Sequence, residues 1–148
     1  MMNRQQRLMT FANPADLPGY QDVSKANLQA RKPRDLKLCD SLQEAVRRSG
    51  LQDGMTISFH HAFRGGDLTL NQVMETLAAM GFRNLTLASS SLTDCHAPLV
   101  EHIRHGVVSR IYTSGLRGPL ADAVSRGLLA EPVQIHSHGG RVNLIESG

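Results

Sequence analysis

Histidines, arginines, hydroxyls and glycines gather at four places in this chain, and each place follows a short apolar run. The first holds His60, His61, Phe63, Arg64, Gly65 and Gly66. The second holds Ser89, Ser90 and Ser91, with Cys95 and His96 a little further on. The third holds Ser114, Gly115, Arg117 and Gly118, and the fourth His136, His138, Gly139 and Gly140. Glycines let a ligand approach the backbone closely. Arginine presents a planar fork of donors that matches carboxylate or phosphate. If helices start just beyond these places, their free N–H groups and positive dipole ends favour negative charge. Together the four places suit an anionic, extended ligand.

Each has a plainer reading as well. Gly65-Gly66 serves equally as a tight turn. The three serines read as a helix N-cap cluster, and capping is the expected role for any one of them. His136 and His138 alternate on a strand end, so one can face solvent. Cys95 reads as a quiet thiol. His102 and His105 fall in the last turn of a helix, where a cation suits the dipole.

The elements that must position these residues follow from periodicity. Leu38, Leu42, Ala45 and Val46 are spaced as a helix ending at Gly50. Residues 55–59 read as the first strand. A helix capped by Asp67 or Thr69 buries Leu70, Val73, Met74, Leu77 and Met80 and ends at Gly81. Residues 84–88 form a second strand, and a helix from Pro98 buries Leu99, Val100 and Ile103. Residues 107–112 form a third strand, and a helix through Leu120, Ala123 and Val124 closes at Gly127. Residues 133–135 form a fourth strand, and 142–147 a last short helix. Gly50-Leu51, Gly81-Phe82, Gly106-Val107 and Gly127-Leu128 share one pattern. A left-handed glycine followed by an apolar residue is how a Schellman helix end is written. Helices alternating with strands imply right-handed βαβ units and a parallel sheet, hence an α/β fold. All four clusters then lie at one edge, where strands end. A four-stranded sheet with helices on both faces is small and leaves an open edge. The chain therefore reads as the front part of a longer protein.

At 148 residues, 41% hydrophobic and 20% charged, the composition is that of a water-soluble globular domain. No run approaches the roughly 20 apolar residues of a membrane span, and the first residues lead into no signal-peptide core. Two cysteines make no disulfide framework. A cytoplasmic protein is expected. Residues 1–36 have no sustained period and read as an N-terminal arm, with a helical piece near residues 23–30; residues 37–148 read as the α/β domain. The arm carries Arg4, Arg7, Lys25, Arg31, Lys32 and Arg34 against Asp16, Asp22 and Asp35. With four Phe, two Tyr and no Trp in the whole chain, this is not the dense basic, aromatic stripe of a nucleic-acid binder. A solvated or partner-docking arm is the better reading.

No G-x-G-x-x-G follows the first strand and no Walker lysine loop occurs, so a conventional dinucleotide or ATP site is not expected. His60, His61, Cys95, His96, His136 and His138 could converge on zinc, but neither C-x-x-C nor H-E-x-x-H is present. No bound metal is expected.

The strings Gly50–Thr56, Ser58–Asp67, Asn84–Leu92, Asp94–Arg104, Arg110–Leu120 and Gly127–Arg141 resemble the N-terminal part of the citrate lyase α-subunit family. The resemblance implies a CoA-transferase-like fold. It implies that the acetyl group on an acyl carrier protein is exchanged for citrate, giving citryl-carrier and acetate, without a tightly bound cofactor. The co-substrate would be the CoA-like phosphopantetheine arm of the carrier. Partners would be the β (lyase) subunit, which splits citryl-carrier to oxaloacetate and acetyl-carrier, and the γ (carrier) subunit, in an oligomeric complex without nucleic acid or membrane. Phe63-Arg64-Gly65-Gly66 takes the place of the glycine-rich loop that holds the thioester in related transferases. The resemblance names no catalytic residue here, and neither Glu101 nor Glu131 is assigned as a nucleophile. The alternative is a non-catalytic module that docks a partner subunit or the carrier.

Overall fold

The computed structural model describes residues 38–61, 63 and 65–146. The expected arm with its helical piece, and Arg64, lie outside the described residues. The described elements belong to one unit, residues 39–148.

Helix α1 spans Leu42–Ser49. Ser41 caps it, its Oγ accepting from the Glu44 amide at 3.1 Å, while Glu44 reaches back to the Asp40 amide at 2.8 Å. Then follow β1 (Thr56–Phe59), α2 (Thr69–Ala79), β2 (Leu85–Ser89), a 3-10 turn (Asp94–His96), α3 (Leu99–Arg104), β3 (Val108–Thr113), α4 (Gly118–Ser125), β4 (Gln134–Ile135) and α5 (His138–Glu146). The four strands are parallel and lie in the order β1-β2-β3-β4.

The glycine punctuation is real. Gly50, Gly81, Gly106 and Gly127 all have positive φ, between 73° and 89°. Three of the four ends close with the Schellman bond: Phe82 N–H to Leu77 O (3.0 Å), Val107 N–H to His102 O (2.9 Å) and Leu128 N–H to Ala123 O (3.2 Å). At the fourth, the Leu51 amide turns to Ser49 Oγ instead.

Strand order and handedness fix the layers. Right-handed crossovers that always step the same way put their helices on the same face. Leu70, Met74 and Leu77 of α2, Leu99 and Ile103 of α3, and Leu120 of α4 form one core with Leu87 and Ile111 of the sheet. Met74 and Leu77 are fully buried, each contributing roughly 2 kcal/mol by area. The opposite face is set by register: Ser58, Ala88 and Tyr112 are cross-strand partners on it. Here α5 crosses, Arg141 donating to Ser58 Oγ at 2.7 Å. Every residue of β2 is buried, as a central parallel strand covered on both faces requires.

The structure corrects the end of the chain. The sequence reading leaves residues 136–140 as a loop and starts the last helix at residue 142. The helix instead begins at His138, because Ser137 is its N-cap: Oγ accepts from the Gly140 amide at 3.0 Å. Strand β4 is also shorter than expected, two residues rather than three.

Candidate functional site

The four strand exits do lie at one edge, and backbone bonds continue across them beyond the strands. Ser90 N–H donates to Phe59 O (3.1 Å), Ser114 N–H to Ser90 O (3.1 Å) and His136 N–H to Thr113 O (2.9 Å). Leu92 and Leu116 form a further parallel bridge. The exits are thus a continuous rim, and two crevices open in it, one on each face of the sheet.

The first crevice encloses about 340 Å³ of open space beside Phe59, His60, His61, Asp67, Thr69, Leu70 and His96. His61 is its keystone. Nδ1 meets Phe63 O at 2.8 Å and Nε2 lies 3.0 Å from Ser91 Oγ and 3.1 Å from Ser91 O. Its backbone N–H donates to Ser90 Oγ at 3.4 Å. One ring thus joins the β1 exit to the β2 exit. The serines are not helix caps as the sequence reading expected. The cap of the following turn is Thr93, which forms a capping box with His96: Thr93 N–H donates to His96 Nδ1 at 3.0 Å. Ser90 and Ser91 are left to close the crevice on His61, and Ser89 Oγ donates to Ser91 O at 3.1 Å.

Beneath the loop, Thr93 Oγ1 donates to Gly65 O at 2.6 Å and Cys95 Sγ to the same oxygen at 3.2 Å. Asn71 Nδ2 donates to Cys95 O at 2.7 Å, leaving Asn71 Oδ1 buried without a partner among the described residues. Gly66 is required here twice over. Its φ is +81°, and a Cβ would lie 2.7 Å from each of Cys95 Sγ, His96 Cε1 and Thr93 Oγ1. Its N–H is committed to Phe63 O at 3.1 Å, so in this arrangement it is not a donor toward a thioester oxygen.

Electrostatics follow burial. His96 is 1% exposed; burial holds its pKa below the ordinary imidazole value, opposed in part by the Asp67 carbonyl. Asp67 is held below the usual carboxylate range by hydrogen bonds from Thr69; one is the Thr69 amide at 2.8 Å from Oδ1. Here the expected helix cap acts one residue early, since Leu68 holds the N-cap position.

The second crevice lies on the other face, among Ala88, Ser89, Tyr112, Thr113, Ser114, His136, Arg141 and Leu144, with about 190 Å³ of open space. Arg141 donates through Nη1 to Phe59 O (2.6 Å) and through Nη2 to Ser58 Oγ (2.7 Å). The His136 ring stands 5.7 Å from that of Tyr112, and its Nε2 is buried with no hydrogen-bond partner among the described residues.

The other sequence candidates distribute around the rim. His60 and His138 are exposed and meet edge to face at 6.4 Å. Phe63 is 68% exposed; Gly65, Arg117 and Gly139 are exposed, and Gly115 and Gly140 are half-buried. Gly118 has φ +65°, and a Cβ there would collide with Asp94. The six residues weighed as a zinc set separate: His61 pairs with His96 at 6.0 Å and His60 with His138, while His136 sits with Tyr112. Among the described residues no three His, Cys, Asp or Glu side chains come together as a metal site. Sequence reading missed Arg141 and Thr93. Ser137 was the available signal for Arg141, since it starts α5 early enough to bring that residue into the first turn.

Comparison with known proteins agrees over most of the chain. The family profile described as "Citrate lyase, alpha subunit (CitF)" matches residues 35–148. The citrate lyase alpha chain of Escherichia coli K12 is 71% identical over 98% of this chain. That of Haemophilus influenzae is 62% identical over 100% of it. In both cases the chain spans 29% of the relative's length. A crystal structure described as the alpha subunit of citrate lyase in complex with citrate, from Streptococcus mutans, is 47% identical. It superposes with a TM-score of 0.72 over 79% of this chain and 23% of its own. With this fold and the profile covering residues 35–148, the chain belongs to the citrate lyase alpha-subunit family.

Proposed function

We propose that these residues form one wall of the site at which a citrate lyase α subunit moves an acyl-carrier thioester from acetate to citrate. The observation that carries this is the joined rim. Four strand exits converge, and His61 ties the first to the second through both ring nitrogens. Such a rim meets an extended ligand along its length, as the phosphopantetheine arm of a carrier protein would be met. In the exchange the carrier sulfur leaves the acetyl carbon and bonds a citrate carboxyl carbon, and acetate departs with the displaced citrate oxygen. Preorganised polar groups at such a centre act without reorganisation during the reaction.

The relatives' names and the citrate in the Streptococcus mutans structure support the substrate. Lyase and carrier subunits as partners, and a cytoplasmic complex, complete the reading. The test is exchange of labelled citrate into acetyl-carrier by a full-length α subunit bearing this sequence. Labelled citryl-carrier is expected, with His61→Ala lowering kcat/KM at least tenfold. A folded wild-type subunit that forms no citryl thioester overturns the reading.

A further inference from the structure

The geometry points to the second crevice as a carboxylate-binding subsite, in which Arg141 and His136 hold one carboxylate of citrate. This rests on the transfer reading for the identity of the substrate, and on the crevice itself for the chemistry.

Three observations converge. First, the Arg141 guanidinium has five N–H donors, and the structure engages Nη1 and Nη2 with neutral oxygens only. The ion pairs among the described residues join Arg48 to Glu44, His102 to Glu75, Arg104 to Glu101 and Arg110 to Glu131; Arg141 is in none of them. A half-buried guanidinium fixed by two neutral acceptors keeps its charge and several donors for an anion, with its orientation already set.

Second, His136 lines the same crevice, and its Nε2 is buried with no partner among the described residues. Leaving a buried polar nitrogen unpaired is costly, and a ligand oxygen recovers that cost. A protonated Nε2 donates to a carboxylate oxygen, and a bare one accepts from a hydroxyl. Citrate carries both groups.

Third, the crevice is narrow. It has room for about one water-sized group, enough to seat one oxygen of a carboxylate between Arg141 and His136. Ala88 and Leu144 form the apolar walls, which exclude water and strengthen the charge contact. The two crevices then divide the work: the first fixes the β1 exit loop, and the second anchors the acceptor acid.

The experiment uses the full-length α subunit, with citrate binding measured by calorimetry and exchange kinetics measured separately. Arg141→Ala is expected to weaken citrate binding and raise its KM at least tenfold, with the KM for the acetyl-thioester donor within twofold of wild type. His136→Phe keeps a ring against Tyr112 and removes only the nitrogens; a three- to tenfold rise in citrate KM is expected, again without effect on the donor. If Arg141→Ala fails to fold, because it loses its bond to Phe59 O, His136→Phe decides. Unchanged citrate binding in the folded variants overturns the subsite, as does an equal loss for citrate and donor. If the wild type binds citrate through Arg141 but forms no citryl thioester, the transfer reading falls and the subsite stands. If the wild type binds no citrate, the subsite falls.

Discussion

Two histidine crevices open on the same rim, and they treat their ring nitrogens in opposite ways. In the first, His61 has both nitrogens engaged and His96 Nδ1 takes the Thr93 amide. In the second, His136 Nε2 is buried and unpaired among the described residues. A nitrogen already satisfied by the protein holds the structure together; a nitrogen left open is available to something else. The first crevice is therefore a built clamp on the β1 exit loop, and the second a receptor. The difference follows from what each exit contributes. The β2 exit supplies Ser90 and Ser91 directly opposite His61, whereas the β3 and β4 exits face α5, whose Arg141 turns toward Phe59 rather than toward His136.

The harshest way to break the clamp is Gly66→Ala. The new methyl would require φ +81° from an L residue and would press on Thr93, Cys95 and His96 together. Overpacking and the left-handed backbone together cost about 3 kcal/mol. A lowered urea midpoint at unchanged slope is the expected result. An alanine variant as stable as wild type would mean that the loop has other ways to settle, and that the clamp is not fixed.

A milder cut is Ser91→Ala. It removes the 3.0 Å contact to His61 Nε2 but leaves the Ser91 carbonyl in place at 3.1 Å. The loss should be about 1 kcal/mol, one net hydrogen bond. Citrate binding through the second crevice should not change. If Ser91→Ala weakens citrate binding as much as His136→Phe does, the two crevices act as one and the division between them fails.

How much of this was legible before the structure divides along the same line. Strand order aside, the alternation and the four glycine ends could be read because a left-handed cap and a 3.6-residue period are local properties. The rim followed from topology, which places every exit of a parallel sheet at one edge. The pairing within it could not be read. His61 meets Ser91 across 30 positions of sequence, and nothing local says that Ser90 and Ser91 will serve His61 rather than cap a helix. Arg141 was hidden differently. Gly139 and Gly140 are poor helix formers, so the stretch reads as a loop. The Ser137 cap outweighs them and turns the arginine back over β1.

Acid should sharpen the contrast most gently. Burial lowers the folded-state pKa of His96, and also that of His102, whose burial outweighs the opposing charge of Glu75. For such a histidine the unfolded chain binds the proton more readily. Between the folded pKa and the ordinary value of 6.5 the unfolded state therefore holds more protons, and stability falls as pH falls. The contribution is fully present above that value and is lost progressively below it. At His96 the cause is concrete: protonating Nδ1 destroys the acceptor that holds the Thr93 amide, so the clamp should loosen before the rest of the sheet. Unfolding free energies from pH 7.5 to 5 should decline in the wild type. They should decline less steeply in His96→Gln, which replaces the titrating ring with a neutral amide. The Thr93 amide should lose hydrogen-exchange protection, corrected for intrinsic rate, over the same window, while amides of β2 keep theirs. Equal slopes in the two proteins would place the acid sensitivity at His102 and the helical layer instead.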